Sequence, residues 1–336
     1  MPTRVLPALT PMAFVRAMVE AYRAAGRDPA GALREARITP AQLKRADARI
    51  DAQQMELISG RAMQELDDEA LGWFTRRLPW GSYGMLCRAS ITAPELGVAL
   101  KRWCRHHRLL VDDVLLSLTV EGGRATLAID EARALGGYRE IALVTLLRSV
   151  HGFACWAIDS RIPLREAAFP FAAPPHAEAY PAMFPGPVRF GAPRAALVFD
   201  AAYLALPLRR DERALRAMLQ RALPLTVRPY RRDRLLAQRV RELLRGGTLT
   251  ASALAEALHV SVRTLHRQLH DEGRPLQALK DEVRRDTALA LLARGDKPVK
   301  QVAALAGFRH PKSFARAFRQ WTGQSPAQWR KDSQVP

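Results

Sequence analysis

The feature that most constrains this chain is a duplication near its carboxyl end. Thr264-Leu265-x-Arg267-x-Leu269 recurs 49 residues later as Ser313-Phe314-x-Arg316-x-Phe318. Each copy follows a short apolar-rich segment, Leu254-Ala255-Glu256-Ala257-Leu258 in the first and Val302-Ala303-Ala304-Leu305-Ala306 in the second. Apolar positions at helical spacing predict a pair of short helices in each copy. A small residue, Ala255 or Ala303, stands where the second helix of the pair must approach closely. Gly307 suits the sharp turn between the helices because it takes φ > 0 without a Cβ penalty, and His259 fills the matching place in the first copy. Ser261 is a good N-cap for the helix that follows, and Pro311 a good first residue for its counterpart. The pattern is that of a helix-turn-helix written twice.

The two units are joined by Leu276–Ala293, where Leu279, Val283, Ala288, Leu291 and Leu292 fall on one face. That predicts a helix of about 18 residues, or roughly 27 Å. A rod of this length suits two recognition helices set about one DNA turn apart, roughly 34 Å, on one side of a duplex. Charge points the same way. The chain carries 52 Lys+Arg against 33 Asp+Glu, a net +19, and residues 231–336 alone hold 21 basic and 10 acidic side chains, a net +11. Such a balance implies a polyanion, either nucleic acid or an anionic membrane surface. A membrane-surface helix needs a basic face opposite exposed Trp or Phe, whereas these basic residues sit inside a repeat with turn geometry. Double-stranded DNA is the partner read from the residues.

The rest of the chain reads as mixed. Met12–Ala24 places Phe14, Val15, Met18, Val19 and Tyr22 on one helical face, and two more helices are expected over Ala41–Leu43 and Gln53–Leu66. Gly-containing, loop-like sequence follows. Val114–Val120 and Arg124–Asp130 flank Glu121-Gly122-Gly123 as a β-hairpin, and Val188–Phe190 and Ala196–Phe199 read as short strands. Ile141–Trp156 is apolar on nearly every face, as expected of a buried helix or a strand–helix pair. Asp211–Leu223 is helical, with Leu215, Met218, Leu219 and Ala222 in a stripe, until Pro224 and Pro229 stop it. The expected organisation is an α+β amino-terminal domain over residues 1–223, a linker over 224–233, and an all-α domain over 234–332 with two helix-turn-helix units joined by a long helix.

Several chemistries are excluded or disfavoured. Cys87, Cys104 and Cys155 are too few and too scattered for a disulfide scaffold or a cysteine-based zinc site, and suit a reducing cytoplasm. The chain contains no asparagine, which removes adenine reading by that residue. Arg4 before the apolar stretch Val5–Val15 superficially resembles a signal peptide, but Pro7 and Pro11 interrupt it, and we read the entry to an amphipathic helix. Ile141–Leu147 is far shorter than the roughly 20 residues that span a bilayer. Trp80-Gly81-Ser82-Tyr83-Gly84 misses the nucleophile-elbow spacing by one residue, so no catalytic serine is assigned. His266 and His270 lie i, i+4 beside Asp271 but lack a third ligand, so no metal is expected. No cofactor motif is present.

From about Arg234 to Lys331 the sequence resembles the DNA-binding domain of the AraC/XylS family of bacterial transcription regulators. The repeat carries the resemblance, together with Glu272-Gly273, the Gly307-Phe308 turn, and Thr322-Gly323-Gln324-Ser325-Pro326 with Trp329-Arg330. The first 210 residues resemble more loosely the arabinose-binding-like effector domain of one subgroup, through Ala25-Gly26-Arg27-Asp28-Pro29, Gly84-Met85-Leu86 to Leu96-x-x-Ala99-Leu100, and Val188-x-Phe190-Gly191-Ala192-Pro193. The resemblance implies a ligand-responsive activator or repressor that also contacts RNA polymerase; the form expected here is an activator that works as a homodimer in the cytoplasm.

Carried over by position, Arg263, His266 and Arg267 fall where the first recognition helix meets base edges, and Lys312 and Arg316, with Pro311 and Ala315, fall at the matching places of the second. Ser261, Thr264, Lys297, Lys300, Arg309, Ser313 and Arg319 fall where phosphates are gripped. For the effector, Trp80, Tyr83, Arg88, Trp103 and His106 are the candidate pocket residues. Arg88 suits a carboxylate, so an organic acid is one candidate effector, although a solvated helix end is the simpler account of His106-His107. Two other functions stay open at this point: a non-specific architectural DNA binder, and an enzyme tethered to nucleic acid, for which the residues offer no acid/base pair or phosphate loop.

Overall fold

The computed structural model describes residues 10–220, 233–247 and 250–333. The chain divides into two compact units, Met1–Asp233 and Arg234–Pro336. Of the expected linker over 224–233, residues 224–232 lie outside the described residues. Its last residue, Asp233, is buried in the first unit and accepts a 2.5 Å hydrogen bond from the Tyr203 hydroxyl.

In the first unit the strands are β1 (Thr10–Pro11), β2 (Arg49–Ile50), β3 (Val114–Glu121), β4 (Arg124–Glu131), β5 (Leu164–Ala168), β6 (Val188–Arg189) and β7 (Ala195–Asp200). The helices are α1 (Met12–Ala24), α2 (Ala30–Glu35), α3 (Pro40–Lys44), α4 (Ala52–Leu66), α5 (Ser82–Ile91), α6 (Leu96–Leu110), α7 (Arg139–Ala157), α8 (Tyr180–Met183) and α9 (Glu212–Leu219). β1 and β2 form a small antiparallel pair. The main sheet runs β3-β4-β7-β5-β6 and is antiparallel except for the β5/β6 pair. The β3/β4 hairpin turns on Gly122 and Gly123, both at positive φ (53° and 74°), as a two-residue loop matched to strand twist requires. α7 is one continuous helix with no strand before it. Its apolar residues point every way because it is buried from Ile141 to Ala157 against β4 and β7.

Two expectations are corrected here. The sequence after Leu66, read as loop-like, contains α5 and α6. α5 carries small polar residues, Ser82 and Ser90, on its buried side, which blurs its apolar stripe. β5, which has no β-branched residue, was not expected at all. It is held by antiparallel pairing to β7, a partner about 30 residues away in sequence.

The second unit is helical throughout its described residues: α10 (Leu236–Arg245), α11 (Ala251–Ala257), α12 (Val262–Asp271), α13 (Leu276–Arg294), α14 (Val299–Leu305), α15 (Pro311–Thr322) and α16 (Pro326–Ser333). It holds two hydrophobic cores. One gathers Val240, Leu244, Leu254, Ala255, Leu265 and Leu269 with Leu276, Leu279 and Val283 of α13. The other gathers Val302, Ala303, Ala306, Phe314 and Phe318 with Ala288 and Leu292 of the same helix. Leu291, expected on the joining face, is only partly buried, as are Trp321 and Trp329, which pack on the edge of the second core rather than inside it.

Candidate nucleic-acid interface

Both turns between the paired helices are built identically. At the end of α11 the His259 N–H donates to Glu256 O (3.0 Å) and the Val260 N–H to Ala255 O (2.9 Å). At the end of α14 the Gly307 N–H donates to Ala304 O (3.0 Å) and the Phe308 N–H to Ala303 O (3.0 Å). This is the Schellman closure, with a left-handed residue followed by an apolar one. φ is 80° at Gly307 and 52° at His259. Ala255 and Ala303, 3% and 1% exposed, sit where the helices cross.

The recognition helices differ in how they start. Ser261 caps α12, accepting the Thr264 N–H at 3.1 Å, and its hydroxyl also meets that of Thr264 at 2.8 Å. α15 starts on Pro311 after His310, whose side chain makes no cap. Leu265 and Leu269 turn inward from α12, Phe314 and Phe318 from α15. Exposed on α12 are Val262, Arg263, His266, Arg267, His270 and Asp271. The same six positions 49 residues on, Pro311, Lys312, Ala315, Arg316, Arg319 and Gln320, are exposed on α15, with Ser313 besides. Arg263, His266, Arg267, Lys312 and Arg316 are all exposed, and none has an intramolecular hydrogen bond or ion pair among the described residues. Five side chains held on these two helices, with no side-chain partner among the described residues, are ready for an external acceptor set such as guanine O6/N7.

Around them, Lys300, Arg309, Ser313 and Arg319 are exposed and Thr264 is half-buried. Lys297 is half-buried and spends its charge on Asp296 at 3.3 Å. Internal ion pairs lie elsewhere: Glu282 of α13 takes Arg241 at 3.0 Å and Arg274 at 3.5 Å. Arg284, one turn from the Gly307 turn, lies 5.2 Å over the Phe308 ring.

In the first unit the expected effector residues separate. Tyr83 and Trp103 meet edge-on, ring centroids 5.5 Å apart, and Trp103 packs on Phe153 at 4.7 Å. Trp80 is exposed, and Arg88 is exposed and paired with Glu212 at 3.3 Å. Trp80-Gly81 is the turn that leads into α5 at Ser82. Glu69 accepts the N–H groups of Gly81 (2.7 Å) and Tyr83 (2.6 Å), and the Ser82 hydroxyl donates to Pro79 O. His106 is half-buried. His107, read as part of a solvated helix end, is instead 2% exposed, with neither ring nitrogen partnered among the described residues, and burial pushes its pKa down to about 4. A separate cleft of ≈ 690 Å³ opens where the end of β4 meets the entry to α7 and the Pro193-Arg194 segment, and it contains none of the five expected residues.

Residues 26–208, more than half of the chain, match the family described as the arabinose-binding domain of AraC transcription regulator, and residues 254–332 match a helix-turn-helix domain. The chain belongs to the AraC family of transcription regulators, with an amino-terminal arabinose-binding-type domain and a carboxyl-terminal helix-turn-helix domain that binds DNA. Among its relatives, the ornithine utilization regulator of Pseudomonas aeruginosa is 28% identical over 329 residues, 96% of either chain. The regulator VqsM of the same organism is 38% identical over 76 residues, 23% of either chain. Among solved structures, the transcriptional regulator CdpR from Pseudomonas aeruginosa aligns over 95% of this chain and 98% of its own, at 19% identity and a TM-score of 0.35. No helix among the described residues is long and apolar enough to cross a membrane.

Proposed function

We propose that the protein is a ligand-responsive, sequence-specific activator of transcription. It reads two consecutive major-groove segments with α12 and α15 of a single chain. Arg263, His266 and Arg267 serve one segment, and Lys312 and Arg316 the other. Ser261, Thr264, Lys297, Lys300, Arg309, Ser313 and Arg319 fix the register on phosphates, which positions the helices without specifying bases. The observation that carries this reading is the matched set of exposed, uncommitted cationic positions on two helices closed by the same turn.

The first unit takes a small-molecule effector, pairs two copies of the chain, and through that pairing governs contact with RNA polymerase. An effector shifts the DNA-competent population by no more than its differential affinity for the two states. One relative, from P. aeruginosa, is named an ornithine utilization regulator, which supports a small-molecule nutrient as the effector. A mobility-shift titration with DNA upstream of the neighbouring genes tests the reading. A saturable complex that survives excess unrelated DNA supports it. Steep salt dependence with no sequence preference would instead indicate an architectural binder.

A further inference from the structure

The cleft beside β4 has a charge pattern that α5 and α6 lack. Its volume, ≈ 690 Å³, is within the range of small-molecule sites, about 300–1,000 Å³. Leu135 gives it an apolar side, and five charged residues converge on the rest: Asp130, Glu131, Arg133, Arg139 and Arg194. They are not equally engaged. Arg139 grips Glu131 through Nε and Nη2 at 2.7–3.0 Å and donates its Nη1 to Pro170 O, so this pair is fixed framework. Arg194 and Asp130 hold each other only at 3.4 Å, with both side chains about half exposed. Arg133 reaches Asp113 through its Nε at 3.3 Å and Thr75 through Nη1, which leaves its Nη2 edge uncommitted.

A loose exposed pair contributes little to stability, so a ligand displaces it at small cost. A simple carboxylate that took Arg194 would set a second anion beside Asp130. A ligand bearing both a carboxylate and an ammonium group satisfies both partners at once, with the planar guanidinium fork meeting the carboxylate. We propose that this cleft is the effector site and that it takes a free amino acid, its carboxylate on Arg194 and Arg133 and its ammonium on Asp130. The inference rests on the ligand-responsive reading above. It also moves the expected carboxylate contact from Arg88, which does not line this cleft, to Arg194 and Arg133.

The experiment is calorimetric titration of the full-length protein with the common L-amino acids and ornithine, alongside the amine and the deaminated acid matching each. The expected result is saturable binding of one or a few amino acids, at least tenfold weaker in Arg194→Ala and in Asp130→Asn, with neither matched analogue competing. Both side chains are half exposed, so the variants are expected to melt as the parent does without ligand. Arg194→Lys, which keeps the charge but loses the fork, recovers only part of the affinity. An amino acid that binds both variants unchanged overturns the site, and binding by the deaminated acids alone overturns the class. No binding by any amino acid, while an operator-driven reporter still responds to another nutrient, overturns the proposal and leaves ligand responsiveness standing. A reporter blind to every nutrient sinks both.

Discussion

His259 and Gly307 occupy the same left-handed position in two turns that close with the same pair of hydrogen bonds, yet only one of them is glycine. A side chain at positive φ carries a steric cost that glycine avoids, on the order of 1–2 kcal/mol. The protein therefore has one relaxed turn and one strained turn. His259→Gly is expected to stabilise the second unit by about 0.5–1 kcal/mol, since glycine's greater unfolded-state entropy offsets part of the relief. Gly307→Ala should cost about 1–2 kcal/mol, because of its φ rather than crowding: the nearest atom to an added Cβ is Arg284 Nε at 3.6 Å. Urea titrations of both variants check the opposite signs.

The base-reading and phosphate roles make different predictions. Arg267→Ala and Arg316→Ala should each cost about 1–3 kcal/mol and relax preference at one base pair of the operator. Lys300→Ala and Arg319→Ala should weaken all sequences alike and flatten the plot of log affinity against log salt by roughly one unit each. If Arg267→Ala and Arg316→Ala leave sequence discrimination intact, the assigned reading roles are wrong.

Arg284 ties α13 to the turn before the second recognition helix. Stacking on Phe308 at 5.2 Å contributes about 1–2 kcal/mol when the cation is partly desolvated. Arg284→Ala is expected to raise amide exchange in α14 and α15, around Val302 and Phe314, while α11 and α12 keep their protection. Equal loosening of both lobes would contradict that assignment.

Acid should weaken the first unit through two histidines, the buried His107 and the half-buried His151. Burial pushes both His107 and His151 down to about 4, from an ordinary value of 6.5. The unfolded chain then binds protons between pH 6.5 and 4 that the folded chain refuses, so stability falls as pH drops through that window. Each group contributes a loss on the order of 3 kcal/mol by pH 4. Above pH 7 neither contributes to the slope. His107→Leu should remove about half of the acid sensitivity, as measured by denaturant midpoints at pH 7.5, 6 and 5.

The second unit was legible because its information is local. Apolar spacing, the caps at Ser261 and Pro311, and the φ-demanding Gly307 all act within a few residues of where they stand in the chain. The first unit hid what depends on distance. α6 carries Lys101, Arg102, Arg105 and Arg108 around a buried stripe of Leu96, Leu100, Trp103 and His107, so its basic surface masks an inward face. The cleft is assembled from the end of β4, the loop before α7, Arg139 and the 193–194 segment, and no short pattern announces that these will meet. Trp80 and Arg88 stand close in sequence to Tyr83, but both are exposed, and Arg88 pairs with Glu212 of α9, 124 residues on.

α13 contributes Leu276, Leu279 and Val283 to one core and Ala288 and Leu292 to the other, and no break in the helix separates the two sets. The two helix-turn-helix lobes are thus keyed to a single shaft. Adding one residue between Val283 and Ala288 would turn one lobe about 100° against the other, at 3.6 residues per turn. Under the proposed reading of DNA by α12 and α15, the distance and phase between operator half-sites are a gauge set by the protein, to which promoters conform.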